Sequence, residues 1–113
     1  MTVALRDATA DDIPTLLGLI RRLAEYERMA DKAVATPELL ARHLFGAVPR
    51  AASMLAEDAG QAVGFALWFH SFSTFTGRPT LYIEDVFVDE ASRGQGIGPV
   101  SYTHLTLPTK RIV

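Results

Sequence analysis

Helical spacing and strand spacing occupy separate stretches of this chain, and that separation constrains its fold more than any other feature. From Ile13 the apolar residues Leu16, Leu17, Ile20, Leu23 and Ala24 recur at helical intervals, with Arg21, Arg22, Glu25 and Arg28 on the opposite side. An amphipathic helix to about Met29 is predicted. Thr9, Asp11 and Asp12 supply capping oxygens and negative charge at its start, and with Asp11 as cap, Pro14 falls in the first turn, where its missing N–H has no helical partner to lose. Thr36-Pro37-Glu38 repeats the cap-then-proline pattern, and Leu39, Leu40 and Leu44 mark a second, short helix that Gly46 and Pro49 end. Strand-like runs stand outside this region: Val3 to Arg6 before it, then Ala52 to Glu57, Ala62 to Phe72 and Thr80 to Val88 after it. Asp58-Ala59-Gly60-Gln61 reads as the tight turn of a hairpin, Trp68-Phe69 as core, and the stretch from Ser73 to Pro79 as loop. Strand, helix, helix, three strands and then a glycine loop predict an α+β domain whose sheet begins antiparallel.

With 113 residues, 49% of them hydrophobic and 21% charged, one packed core is expected. No apolar run is long enough to span a membrane, and the start MTVALRDATADD is polar and acidic where a secretory signal would be basic and then apolar. A soluble, cytoplasmic protein with no membrane partner is the expectation. There is no cysteine, so disulfides, thiolate metal sites and cysteine nucleophiles are excluded. His43, His70 and His104 lie far apart without metal-ligand spacing, so no metal is expected. The net charge is −2 and basic residues stand singly apart from Arg21-Arg22, which argues against nucleic acid; without Lys110 and Arg111 near the C-terminus, 9 basic residues stand against 13 acidic ones, which mildly favours a cationic small molecule.

Chemistry concentrates in one segment. Arg93-Gly94-Gln95-Gly96-Ile97-Gly98 follows the strand that ends at Val88, and glycines at every second position let a backbone approach a ligand with its N–H groups exposed. Such a loop can cradle phosphate. It lacks the lysine and hydroxyl residue of a P-loop, and its glycine spacing is one residue short of the dinucleotide fingerprint. Alone it is as well explained by a plain turn; the arginine three positions before Gly96 and the acidic strand YIEDVFVDE upstream give it weight.

RGQGIG is similar to the pyrophosphate loop of the GNAT N-acetyltransferases, and YIEDVFV resembles the strand before that loop. The likeness runs from residue 2 to residue 98, and LAEYERM, FSTFTGR and YIEDVFV together resemble the diamine and thialysine N-acetyltransferase branch. The resemblance implies the N-terminal part of a GNAT fold, acetyl-CoA as co-substrate, a small-molecule amine as acceptor, and a homodimer as the assembly to look for in an intact parent. Residue by residue, it implies that main-chain groups of the segment Val86, Phe87 and Val88 hold the acetyl and pantetheine part, and that Arg93, Gly94, Gln95, Gly96, Ile97 and Gly98 hold the pyrophosphate. A following helix N-terminus would bind that anion unaided by side chains.

Amine acetylation needs a neutral nitrogen, and an alkyl amine has a pKa near ~10.4, so a base is required at neutral pH. Glu84 is the candidate catalytic base. Asp85 is a candidate for substrate binding, although on a regular strand it points to the face opposite Glu84, and only a bulge lets both serve one pocket. Either carboxylate is otherwise a solvated or ion-paired group. Tyr26 and Glu27 match positions that meet the amine in relatives, a carboxylate and an aromatic edge that suit a cation, and their alternative is an exposed helix end. Ser73 stands where some polyamine-selective members carry an aspartate, which tilts the reading toward a smaller amine, thialysine-like amino acids included. His70 reads as a strand histidine with no catalytic part.

After Gly98 the sequence departs from the family. PVSYTHLTLPTKRIV has two prolines, β-branched residues and no helical stripe, where family members continue into a long helix. VSYTHLTLPT resembles one reading frame of a sequencing-library adapter. The expected division is therefore 1–98 as a partial N-acetyltransferase domain and 99–113 as a non-native tail, with this chain itself inactive. A non-catalytic acyl-CoA-binding module and an inert fragment are the alternatives.

Overall fold

The computed structural model describes residues 3–89. The glycine loop from Arg93 to Gly98 and everything after it lie outside the described residues. Four strands, β1 (Val3–Asp7), β2 (Ala52–Asp58), β3 (Gln61–Ser73) and β4 (Arg78–Val88), form one sheet in sequence order, with every neighbouring pair antiparallel. Two helices, α1 (Ile13–Tyr26) and α2 (Pro37–Phe45), lie between β1 and β2 in the chain. The expected α+β order is the observed one.

Alternation along the strands divides the buried residues between two sheet faces. Leu55, Phe65 and Phe87 point to the helices and join Leu16, Leu17, Leu19, Leu23, Leu40 and Leu44 in the main core. Met54, Ala66, Ile83 and Val86 are buried on the other face. The α1 stripe is wider than the sequence pattern suggests, because Leu19 is buried as well while Ile20 is half-buried. Arg21, Arg22, Glu25 and Arg28 are exposed or partly so, away from the core, as expected.

The two ends of α1 differ from expectation. Ala10–Asp12 forms a 3₁₀ turn first, so Asp12 rather than Asp11 is the residue preceding α1, with Pro14 still in the first turn. Asp12 is drawn there by charge: its two oxygens accept from Arg6 Nη1 and Nη2 at 2.8 Å each, and Oδ2 also accepts from the Thr9 N–H at 2.7 Å. Arg6 Nε donates in turn to Glu57 Oε1 at 2.9 Å, tying β1 to β2 and to the start of α1. The Arg6 guanidinium holds the Asp12 carboxyl well below the usual carboxylate range. Unfolding returns that carboxyl to about 3.9, so the unfolded chain takes up the proton first and stability falls as pH drops below about 4. Asp12→Asn should lower the denaturation midpoint at neutral pH and flatten its fall between neutral and acid pH. Equal acid sensitivity in both proteins would remove Asp12 from this role.

At its other end α1 stops at Tyr26, short of Met29. Arg28 adopts a left-handed conformation, φ 57°, and the N–H groups of Arg28 and Met29 donate to Glu25 O at 3.0 Å and Ala24 O at 2.7 Å. This is the Schellman pattern, normally built on glycine, and with arginine in that place no local signal announces the stop. The closure folds Met29 back over Ala24. Thr36 caps α2 as expected, its Oγ1 accepting from the Leu39 N–H at 3.2 Å, although Leu39 itself is exposed and Leu40 and Leu44 carry the packing.

Ala59 and Gly60, with φ of 53° and 83°, make the two-residue turn between β2 and β3. Trp68 and Phe69 are half-buried instead of central. The cause is the length mismatch of the strands: β2 reaches only as far as Ala52 opposite Trp68, whereas β3 and β4 continue together to Ser73 and Arg78. Beyond Trp68 the pair is a two-stranded ribbon, with Phe69 stacked on Tyr82 at 5.1 Å and Phe75 fully exposed at its tip.

Candidate functional site

The step from Leu67 to Trp68 on β3 corresponds to the step from Asp85 to Ile83 on β4, so Glu84 is an extra residue in the ladder. This is the β-bulge that a shared pocket for the two carboxylates requires. Ile83 and Val86 both bury on the face away from the helices, at 0% and 1% exposure, so Glu84 and Asp85 together occupy the interval between two residues of the same face. Both carboxylates are half-buried.

Asp85 is the floor of a cleft of about 360 Å³ under the α1 to α2 connection. Its walls are Ile20, Leu23 and Ala24 from α1 and Met29, Val34 and Ala35 from the connecting segment. The Schellman closure builds this wall, since it sets Met29 against Ala24. Asp85 Oδ1 is itself shielded from solvent.

The other sequence candidates fall around this cleft without all joining it. Tyr26 ends α1 and Glu27 follows it, two and three residues after the wall residue Ala24, Tyr26 exposed at 55% and Glu27 half-buried, and neither lines the cleft. Glu84 sits beside Asp85 on the bulge but does not line it. Val86, Phe87 and Val88 are buried, with Phe87 turned to the helices and Val86 and Val88 away from them. Ser73 ends β3 on the ribbon, and its Oγ accepts from the Thr76 N–H at 3.3 Å. His70 is exposed on the same ribbon. Arg93, Gly94, Gln95, Gly96, Ile97 and Gly98 lie outside the described residues. Among the described residues no group of three or more His, Asp or Glu gathers as metal ligands do, and no helix is long and apolar enough to cross a membrane.

Sequence reasoning missed the apolar wall from Met29 to Ala35. Its residues show no periodicity of their own, and only the unannounced stop of α1 brings them over Asp85.

An antiparallel sheet with two helices inserted after its first strand and a bulged acidic fourth strand are the arrangement of the N-terminal part of an acetyltransferase-type α+β fold. Residues 18–106 match the acetyltransferase (GNAT) family, and the chain belongs to that family. A thialysine N-epsilon-acetyltransferase of Bos taurus is 38% identical over 104 residues, covering 85% of this chain and 61% of that protein. A spermidine/spermine N(1)-acetyltransferase-like protein 1 of Homo sapiens is 38% identical over 101 residues, covering 83% of this chain and 14% of that protein. The chain thus spans 61% of the length of the bovine relative. Among solved structures, a ribosomal-protein-alanine N-acetyltransferase from Brucella melitensis superposes with a TM-score of 0.75 at 18% identity, over 98% of this chain and 81% of that one, which shows the shared fold.

Proposed function

We propose that residues 1–98 are the part of an N-acetyltransferase that binds acetyl-CoA and directs its acetyl group to the primary amine of a small molecule, a diamine, polyamine or thialysine-like amino acid. The observation that carries this reading is the bulge, which sets Glu84 and Asp85 on one step of β4, with Asp85 closing an apolar cleft. The names of the bovine and human relatives point to the same acceptor class.

In this reading acetyl-CoA supplies the activated acyl carbonyl, and β4 lies alongside it. The side chains of Val86 and Val88 are buried at 1% and 3% exposure, so what this strand offers a pantetheine chain is its main chain. That suits the amides of such a chain. Arg93 to Gly98, the glycine loop, would hold the pyrophosphate through backbone N–H groups. Asp85 orients the amine from the cleft floor, Glu84 takes its proton, directly or through water, and Tyr26 and Glu27 meet the acceptor from the end of α1.

Incubation of the protein with acetyl-CoA and a panel of diamines, lysine analogues and aminoglycosides, followed by free thiol, tests the proposal. Thiol release with at least one small primary amine is the result expected of an intact parent, and none is expected of this chain alone. Binding of acetyl-CoA with no release for any amine would instead mark a non-catalytic acyl-CoA-binding module.

A further inference from the structure

The cleft above Asp85 carries a second charged side chain that the acetyltransferase reading leaves unused. Lys32 also lines it, and Lys32 is exposed, so it stands at the rim while Asp85 stands at the floor. Its place is fixed by the backbone. The Lys32 N–H donates to Met29 O at 2.9 Å, closing the 3₁₀ turn Ala30–Lys32, and its carbonyl accepts from the Val34 N–H at 3.1 Å. Every other residue of the lining is apolar.

An apolar cleft with an anion at the bottom and a cation at the mouth has a direction. A ligand that matches it carries an amine at one end, an aliphatic stem, and a carboxylate at the other end. A diamine of the same length satisfies the floor but brings a second cation toward Lys32 with no carboxylate beside it to offset the like-charge repulsion. We propose that Lys32 is a specificity-determining residue that reads a carboxylate on the acceptor, so that an amine carrying a carboxylate at its far end, as lysine does, is preferred to the diamine of equal length that lacks it. The fate of the amine rests on the acetyltransferase reading; the binding preference does not. Because Lys32 is exposed and acts as a point charge, its contribution is modest, about threefold in affinity.

Lysine and cadaverine differ only by that carboxylate, and both can be titrated unreacted into the whole chain in the presence of coenzyme A, with binding followed by nuclear magnetic resonance. The unaltered protein should bind lysine about threefold more tightly than cadaverine. Lys32→Ala should erase the difference by weakening lysine alone, and Lys32→Glu should reverse the order. An equal loss for both amines, a preference that survives Lys32→Ala, or binding of neither amine would overturn the assignment. Should lysine outbind cadaverine in a Lys32-dependent way while no amine is ever acetylated, the transferase reading falls and the Lys32 assignment stands. Acetylation of both amines with no dependence on Lys32 does the reverse: the assignment falls and the transferase reading stands.

Discussion

Valine in place of Gly64 is expected to lower the thermal midpoint of the chain by roughly 10 °C or more. Gly64 lies opposite Val88 in the β3–β4 ladder, one residue after the irregularity that interrupts the pairing of β2 with β3. A Cβ added there would stand 2.6 Å from Phe87 O and 3.3 Å from Val88 Cα, both backbone atoms that no rotamer change can move. Accommodating it requires β3 and β4 to part at Phe87 and Val88, where Phe87 anchors the sheet to the helices. Overpacking of this kind costs about 1–3 kcal/mol, and the branched side chain on a close backbone contact belongs at the upper end. Gly18 is the matched control. It lies within α1 with nothing within 4 Å of an added Cβ, so Gly18→Ala should stabilise by ~0.5–1 kcal/mol through helix propensity. Thermal unfolding of both variants decides the matter, and an unaltered midpoint for Gly64→Val would show that the two strands are not locked together at this point.

The contrast between those glycines shows what a single sequence discloses. Gly60 can be read as a turn from its neighbours, because positive φ beside Ala59 is a local demand. Gly64 carries no such mark, since its requirement comes from a strand more than twenty residues away. The same divide runs through the site. Thr36 before Pro37, the stripe of α1 and the acidic strand before the glycine loop are local patterns, and each is found where spacing places it. The stop of α1 at Tyr26 is illegible because Arg28 takes a conformation that sequence assigns to glycine. Trp68 packs only at the margin of the far-face cluster and Phe69 falls on the ribbon because β2 is shorter than its neighbours, a fact about the sheet and not about either residue. The bulge at Glu84 is legible only as a condition: two adjacent carboxylates can share a pocket if the strand slips by one residue. Register is set by the whole ladder, so no inspection of YIEDVFV alone decides it.

Replacement of Glu84 by Gln in an intact parent is expected to slow acetyl transfer by about 10²-fold or more at neutral pH, with a much smaller deficit toward pH 10. An alkyl amine with a pKa near ~10.4 is neutral at pH 7 in only on the order of one molecule in a thousand, so a base that accepts its proton is worth most there. As pH rises the free amine supplies itself, and the need for a base disappears. Asp85→Asn should behave differently. Asp85 lines the cleft and Glu84 does not, so the loss of Asp85 should appear chiefly as a raised KM for the amine, with kcat less affected, because it removes attraction to the bound acceptor and leaves the proton acceptor in place. The bulge is what allows this division of work: two neighbouring carboxylates share one step of β4, yet only one of them reaches the cleft. Initial rates for both variants, taken from pH 6 to pH 10 at varied amine concentration, separate the roles. A Glu84→Gln profile parallel to that of the unaltered enzyme across this range would take Glu84 out of proton transfer and leave Asp85 as the residue to examine for it.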